Sequence, residues 1–305
     1  MFERFIAAFL GAKLGKLAEF EPLAKHTTLR VGGPARVFVQ PKDKADFVKI
    51  VKLARELQLQ FKVLGKGSNL LASDELFEGV VIQTDKGLTD ISIEATRVTA
   101  GAGVSDIKLA QHVARAGLSG IEFLSGIPGT IGGAVFMNAG AYLKEIADVL
   151  VRVQVLNEQN EVVWLDKANL NLAYRQSIFQ QQPKLLILEA VLQLEPGDAD
   201  EILAMIKSRK AKRVKSQPLE LASAGSTFRN PAGHTAWQLI ADAGLRGYSV
   251  GGAMVSQKHT NFVVNVGGAT AQELADVILH VQNTVYEYAG LLMHQEVEFF
   301  NWGMK

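Results

Sequence analysis

Residues 123–142 of the chain read FLSGIPGTIGGAVFMNAGAY. Five glycines and one proline fall within them, alanines flank the glycines, and no residue is charged. Side chains are pared away where a hydrophobic core would want bulk, so something approaches this backbone closely. Three occupants fit: another helix, a lipid tail, or a ligand whose charge is met by N–H groups. As a membrane helix the stretch is too short, and Pro128 and the glycines interrupt it. As a core helix it would lose on the order of 1 kcal/mol for each glycine relative to alanine. A loop wrapped against a ligand is the better reading, because backbone N–H groups then act as donors and glycine lets the chain come within hydrogen-bonding distance.

A second glycine cluster lies upstream in LGKGSNLL, residues 64–71. A Gly-x-Gly-Ser-Asn turn after a buried strand can point successive N–H groups at an anion; an ordinary strand-to-helix turn would look the same. It is neither the dinucleotide fingerprint, which needs a third glycine opening a helix, nor a phosphate loop ending in Gly-Lys-Ser/Thr. Two such loops in one chain suggest a dinucleotide held in an extended pose between two subdomains, with its pyrophosphate met by backbone groups.

The rest of the composition narrows the class. A length of 305 residues suffices for two or three domains. Hydrophobic residues at 48% and charged residues at 21% are ordinary for a globular protein. A net charge of +1 gives no argument for nucleic acid or an acidic membrane. Cysteine is absent, which excludes disulfides, thiolate metal sites and cysteine nucleophiles. The six histidines are scattered without metal-ligand spacing, so no metal is expected. The opening MFERFIAAFLGAKLG has too short an apolar part, between Arg4 and Lys13, for a signal peptide or membrane helix. A cytoplasmic protein is the expectation.

Along the chain, residues 1–20 read as helical. RVFVQP alternates like a strand, and DKADFVKIVKLARELQL carries a helix face at 47, 50, 51, 54 and 57. FKVL closes a strand–helix–strand unit at the first glycine bend. GVVIQT, DISIEA and RVTAGAGV read as strands, followed by a helix with Ser105 at its N-cap. VLVRVQVLNEQNEVVWLD reads as a hairpin, KLLILEAVLQLEPG as a strand, and residues 200–214 as a helix bearing a basic run at its end. The remainder, with NFVVNV, a long amphipathic helix from TAQELAD onward and HQEVEFF, is an α+β unit.

Several polar residues could carry chemistry. Ser226 in ASAGSTFRNP could be a nucleophile, a proton donor or a turn residue; a nucleophile elbow would need glycine where Phe228 stands. Arg175 in LAYRQSIF could hold a carboxylate bidentately or sit in a surface ion pair. Glu296 in HQEVEFF is a carboxylate among apolar residues, which an edge strand would also explain. The basic run at 207–215 is most simply a solvated helix face.

Taken in order, TTLRVGGPA, LGKGSNLL, GIPGTIGGAVFMNAGAY, YRQSIF, QPLELASAGSTFRNPAGH, GGAMVSQKHTNFVVN and EVEFF resemble the UDP-N-acetylmuramate dehydrogenase (UDP-N-acetylenolpyruvoylglucosamine reductase) family over residues 24–300. The short link from Phe179 to Leu185 is similar to the shorter subtype, which lacks an extra substrate-covering loop. The resemblance implies an α+β protein: a two-subdomain FAD-binding fold of the vanillyl-alcohol-oxidase type, at 24–85 and 86–206, with a C-terminal α+β substrate domain at 207–305 and a helical extension at 1–23. It implies non-covalent FAD held by Gly65, Lys66, Gly67, Ser68, Asn69 and Leu70 on one side. Gly126, Ile127, Pro128, Gly129, Thr130, Gly132 and Gly133 hold it on the other. A side chain at Gly129 would then take the cofactor's place.

The resemblance further implies NADPH as co-substrate and an enolpyruvyl UDP-sugar as substrate, contacted by Asn138, Tyr174, Arg213 and Asn230. Arg175 and Glu296 would stabilise the enol-like intermediate, Glu296 as a hydrogen-bond donor, and Ser226 would supply the proton. No nucleic acid, membrane insertion or obligate protein partner is implied. Three positions depart from the family pattern: Leu143 where glycine is commoner, Gln295 in place of a frequent proline, and Glu298 where arginine is common. A related FAD oxidoreductase acting on another substrate, and a catalytically silent binding protein, are the competing readings. The presence of Arg175, Ser226 and Glu296 argues against the second.

Overall fold

Helix Lys44–Glu56 shows how local rules place the elements. The Asp43 carboxylate accepts from the Asp46 N–H at 2.8 Å, and Phe47, Ile50, Val51 and Ala54 form the buried face. In the computed structural model, which describes residues 1–303, the chain forms two compact units. The first comprises residues 1–19, 36–66 and 78–211; the second comprises 20–35, 67–77 and the described residues from 212 onward.

The first unit has, besides two short two-stranded sheets, two large ones. One is four-stranded, in the order Gly15–Pro22, Pro34–Pro41, Phe77–Gln83, Phe61–Leu64, with the last two parallel in the register Phe61 to Val80. The other is five-stranded and antiparallel, in the order Val162–Asp166, Leu150–Leu156, Leu186–Gln193, Arg97–Gly101, Ile91–Glu94. Its first two strands are the expected hairpin, and Asn160 takes the left-handed turn position at φ 62°. Phe5, Phe47, Ile82, Leu109, Phe123, Val153 and Phe179 share one continuous apolar core.

The second unit is a four-stranded antiparallel sheet, in the order Ala222–Ser223, Val263–Asn265, Ala253–Val255, Ser249–Val250, with helix Ala271–Ala289 against it. Leu274, Ile278, Val281 and Val285 are the helix's buried stripe. Thr270 and Glu273 cap it reciprocally, and Gly290 ends it in the left-handed conformation. Strand Leu70–Ala72 also lies in this unit, paired in parallel with Glu298–Phe300.

Two readings need correction. Helix Phe2–Gly11 ends where Lys13 turns left-handed at φ 52°, and the remainder of the supposed helix is strand Gly15–Pro22. Glu296 is not an edge-strand residue: the terminal strand begins only at Glu298, and Glu296 lies in the approach to it. Among the described residues no helix is long and apolar enough to cross a membrane.

Thr270→Ala removes one half of the capping box. We expect a loss of about 1 kcal/mol of stability in chemical denaturation, with wild-type stability as the contrary result.

Candidate functional site

The glycine-rich stretch is only partly a loop. Glu122–Gly126 is a 3-10 turn, Ile127 is extended, and Ile131–Phe136 is a short helix capped by the Thr130 hydroxyl. The helix is tolerated despite Gly132 and Gly133 because its start is bonded into neighbouring backbone. Ile131 N–H donates to Val104 O at 2.9 Å and Gly132 N–H to Ala102 O at 2.8 Å. A β-carbon on Gly132 would stand 2.9 Å from that of Ala102, so this glycine is needed for contact within the protein. These two N–H groups are therefore engaged internally and do not serve an anion.

Gly65 and Lys66 of the first glycine motif meet the second motif inside the first unit. A β-carbon on Gly65 would fall 2.5 Å from Thr130 Oγ1. Ser105 and Thr130 pair across an antiparallel bridge, and Lys66 Nζ donates to Ser105 Oγ at 2.6 Å. Ser105 thus occupies the N-cap position of helix Asp106–Arg115, while its hydroxyl serves Lys66 and makes no cap bond. Gly129 is pressed against Asp106, whose Oδ2 would be 2.5 Å from an added β-carbon. Its missing side chain makes room for Asp106. Gly133 differs. A β-carbon there would meet nothing closer than Thr130 Oγ1 at 3.7 Å, so its outer side is open.

Asp106 was not singled out in the sequence, where an acid in the first turn of an amphipathic helix is unremarkable. It is 0% exposed, and neither carboxyl oxygen has a hydrogen-bond partner. Burial pushes its carboxyl well above the usual range, with the Lys66 charge opposing. Burial likewise lowers the Lys66 ammonium, against the pull of Asp106 and Asp85.

Asn138 is fully buried at φ 41°, its Nδ2 donating to Ala173 O at 3.0 Å and its Oδ1 accepting from Ala147 N–H at 2.9 Å. Its side chain is a clamp within the protein. The clamp fixes the next loop, where Ala173 and Gln176 close a tight turn with Tyr174 and Arg175 at its tip. Arg175 adopts φ 56°, stands over the Tyr174 ring at 5.0 Å and donates from Nη2 to Gly140 O at 2.9 Å. Tyr142 and Leu143 are also left-handed, at 57° and 61°. Such a conformation at a non-glycine residue is held by its surroundings and clusters at functional sites. Leu143 occupies a conformation that glycine would adopt freely.

In the second unit, Gly67 is left-handed at φ 60°, with His26 O where its β-carbon would be; Ser68 and Asn69 form the turn, and Leu70 opens the strand. The boundary between units therefore falls inside the first motif, after Lys66. Asn69 Nδ2 donates to Glu296 O at 2.9 Å, and Glu296 N–H donates to Thr227 O at 2.8 Å. Glu296 is thereby anchored next to half-buried Ser226, whose neighbours Thr227 and Phe228 are fixed by Asn261. Asn69 and Asn261 are the residues sequence reading missed as supports here. Asn230 Oδ1 accepts from Ala236 N–H at the start of helix Ala236–Asp242, and Arg213 Nε donates to Gln217.

The fold and the family matches define a class: an oxidoreductase with a flavin-binding domain of the vanillyl-alcohol-oxidase type. Residues 35–166 match the FAD binding domain, and residues 217–300 match the UDP-N-acetylenolpyruvoylglucosamine reductase C-terminal domain. The chain is 42% identical over 296 residues to the UDP-N-acetylenolpyruvoylglucosamine reductase of Anoxybacillus flavithermus, covering 97% of this chain and 98% of that one. It is 44% identical over 286 residues to that of Bacillus licheniformis, covering 94% of each. The crystal structure of the Thermus caldophilus enzyme superposes with a TM-score of 0.79 at 34% identity, covering 93% of this chain and 98% of that one. The chain belongs to the UDP-N-acetylenolpyruvoylglucosamine reductase family.

Gly129→Ala puts a methyl group against the Asp106 carboxyl. We expect destabilisation of about 1–3 kcal/mol from this overpacking, read from denaturant midpoints; an unchanged midpoint contradicts the contact.

Proposed function

We propose that the protein reduces UDP-N-acetylglucosamine enolpyruvate to UDP-N-acetylmuramate with electrons from NADPH, in cytoplasmic peptidoglycan precursor synthesis. The observation that carries this reading is the near-full-length family match, joined to a Glu296 tethered at both its N–H and its carbonyl beside Ser226. The first unit fits a flavin nucleotide: its two glycine motifs are wedged together, and Gly133 leaves an open face that a side chain would fill. FAD, when bound, supplies hydride to the enolpyruvyl methylene carbon after reduction by NADPH.

The chain's own residues do the rest. Gly65, Lys66 and the turn at Gly126–Thr130 hold the nucleotide, with 67–70 contributing from the other half of the first motif. Hydride addition leaves negative charge on the adjacent carbon, conjugated with the substrate carboxylate. The Arg175 guanidinium and Glu296 as a hydrogen-bond donor stabilise that charge, which is larger in the transition state than in the ground state. Ser226 gives its proton to the carbon and completes the lactyl ether. An alkanol is a weak acid, and the step works because the carbanion is a strong base. Tyr174, Arg213 and Asn230 bind the sugar nucleotide, while Asn138 holds the Arg175 loop from behind. The short link after Phe179 supports the shorter subtype.

The test is a two-step anaerobic absorbance experiment. The purified protein is expected to be yellow, to bleach with NADPH, and to recolour with the enolpyruvyl sugar nucleotide. Ser226→Ala should bleach normally and recolour slower by orders of magnitude. Bleaching without recolouring in the wild type points to a related oxidoreductase with another substrate. Equal recolouring by Ser226→Ala removes Ser226 from its role.

A further inference from the structure

Asp106 is a fully buried carboxyl of the first unit that the proposed reaction leaves without a task. Its carboxyl has no solvent contact, and neither oxygen has a partner. A buried polar group in that condition is expensive and calls for an explanation. Its surroundings are the two glycine motifs themselves. Oδ2 lies beneath Gly129, the Asp106 N–H donates to Gly129 O at 3.3 Å, and the preceding residue, Ser105, receives the Lys66 ammonium.

We propose that Asp106 is a positioning residue of the flavin cradle, setting where the Lys66 ammonium stands relative to the Gly129–Thr130 turn. With an uncharged Asp106, Lys66 rests on Ser105 and its charge is available to a diphosphate. With an ionised Asp106, a second anion sits under the turn and draws the ammonium toward itself. The two states differ in their affinity for a doubly charged nucleotide linker, and the uncharged state binds it better. This rests on the reading that the glycine motifs hold FAD.

Charged groups of neighbouring segments act on the pair. Lys66 faces Asp106; Asp85, Lys86 and Lys108 act on Lys66. Burial raises the Asp106 carboxyl, and a bound diphosphate raises it further, so binding takes up a proton. FAD affinity is then highest at low pH and falls as pH rises through the already elevated titration of Asp106.

The experiment measures FAD release from the full-length holoprotein by recovery of flavin fluorescence, from about pH 6 to about pH 9, the slope being limited to about tenfold in affinity per pH unit for one linked proton. The wild type is expected to hold FAD more weakly as pH rises. Asp106→Asn, which stays neutral, should give a flat profile at the wild type's low-pH affinity. Lys66→Met keeps Asp106 and should weaken FAD binding. A purely structural Asp106 would shift affinity equally at every pH. Parallel profiles for wild type and Asp106→Asn, or unchanged retention in Lys66→Met, overturn the proposal while leaving the flavin reading in place. A wild type that retains no FAD at any pH overturns both.

Discussion

Gly65 and Thr130 stand so close that a single added carbon would not fit between them. That contact joins two segments far apart in the chain, and the architecture of the first unit follows from keeping it. Strand Phe61–Leu64 must deliver Gly65 to the point where helix Ile131–Phe136 begins. That helix is held by backbone bonds from Ile131 and Gly132 to the turn that follows strand Arg97–Gly101. Lys66 and Ser105 close the junction from the side. Glycine here is a packing requirement at Gly65, Gly129 and Gly132, and an opening at Gly133. One motif thus contains both the mortar of the cradle and its mouth.

Much of this was legible in the chain. The 3.6-residue apolar period of 44–56 and the cap at Asp43 placed a helix, and alternation with turn residues placed the hairpin at 150–166. The glycine clusters were legible as places of close backbone approach because no core would choose that composition. What could not be read was which glycines pack against the protein and which leave open space. That depends on the neighbours of each missing β-carbon, and Ala102, Asp106 and Thr130 are brought there by tertiary structure. The short helix at 131–136 was hidden for the same reason: bonds to Ala102 and Val104 override low glycine propensity.

The second unit teaches a similar lesson through long-range pairing. Residues 67–77 belong with the chain's end because Leu70–Ala72 pairs with Glu298–Phe300, a match that no local pattern announces. Asn69 looked like a glycine-turn residue; its amide instead holds the Glu296 carbonyl. The residues proposed for proton and charge handling were recognisable by type and order, whereas the asparagines that fix their backbone were not. Buried Asp106 lay furthest from view, since a first-turn acid is ordinary until its burial and missing partners are known.

The most direct measurement is FAD affinity in Gly133→Val beside its denaturation midpoint. Open space around Gly133 means the variant should fold with near wild-type stability yet bind FAD much more weakly, because the new side chain enters the cradle. Full FAD affinity in a stably folded Gly133→Val protein would contradict the placement of the flavin against these glycines.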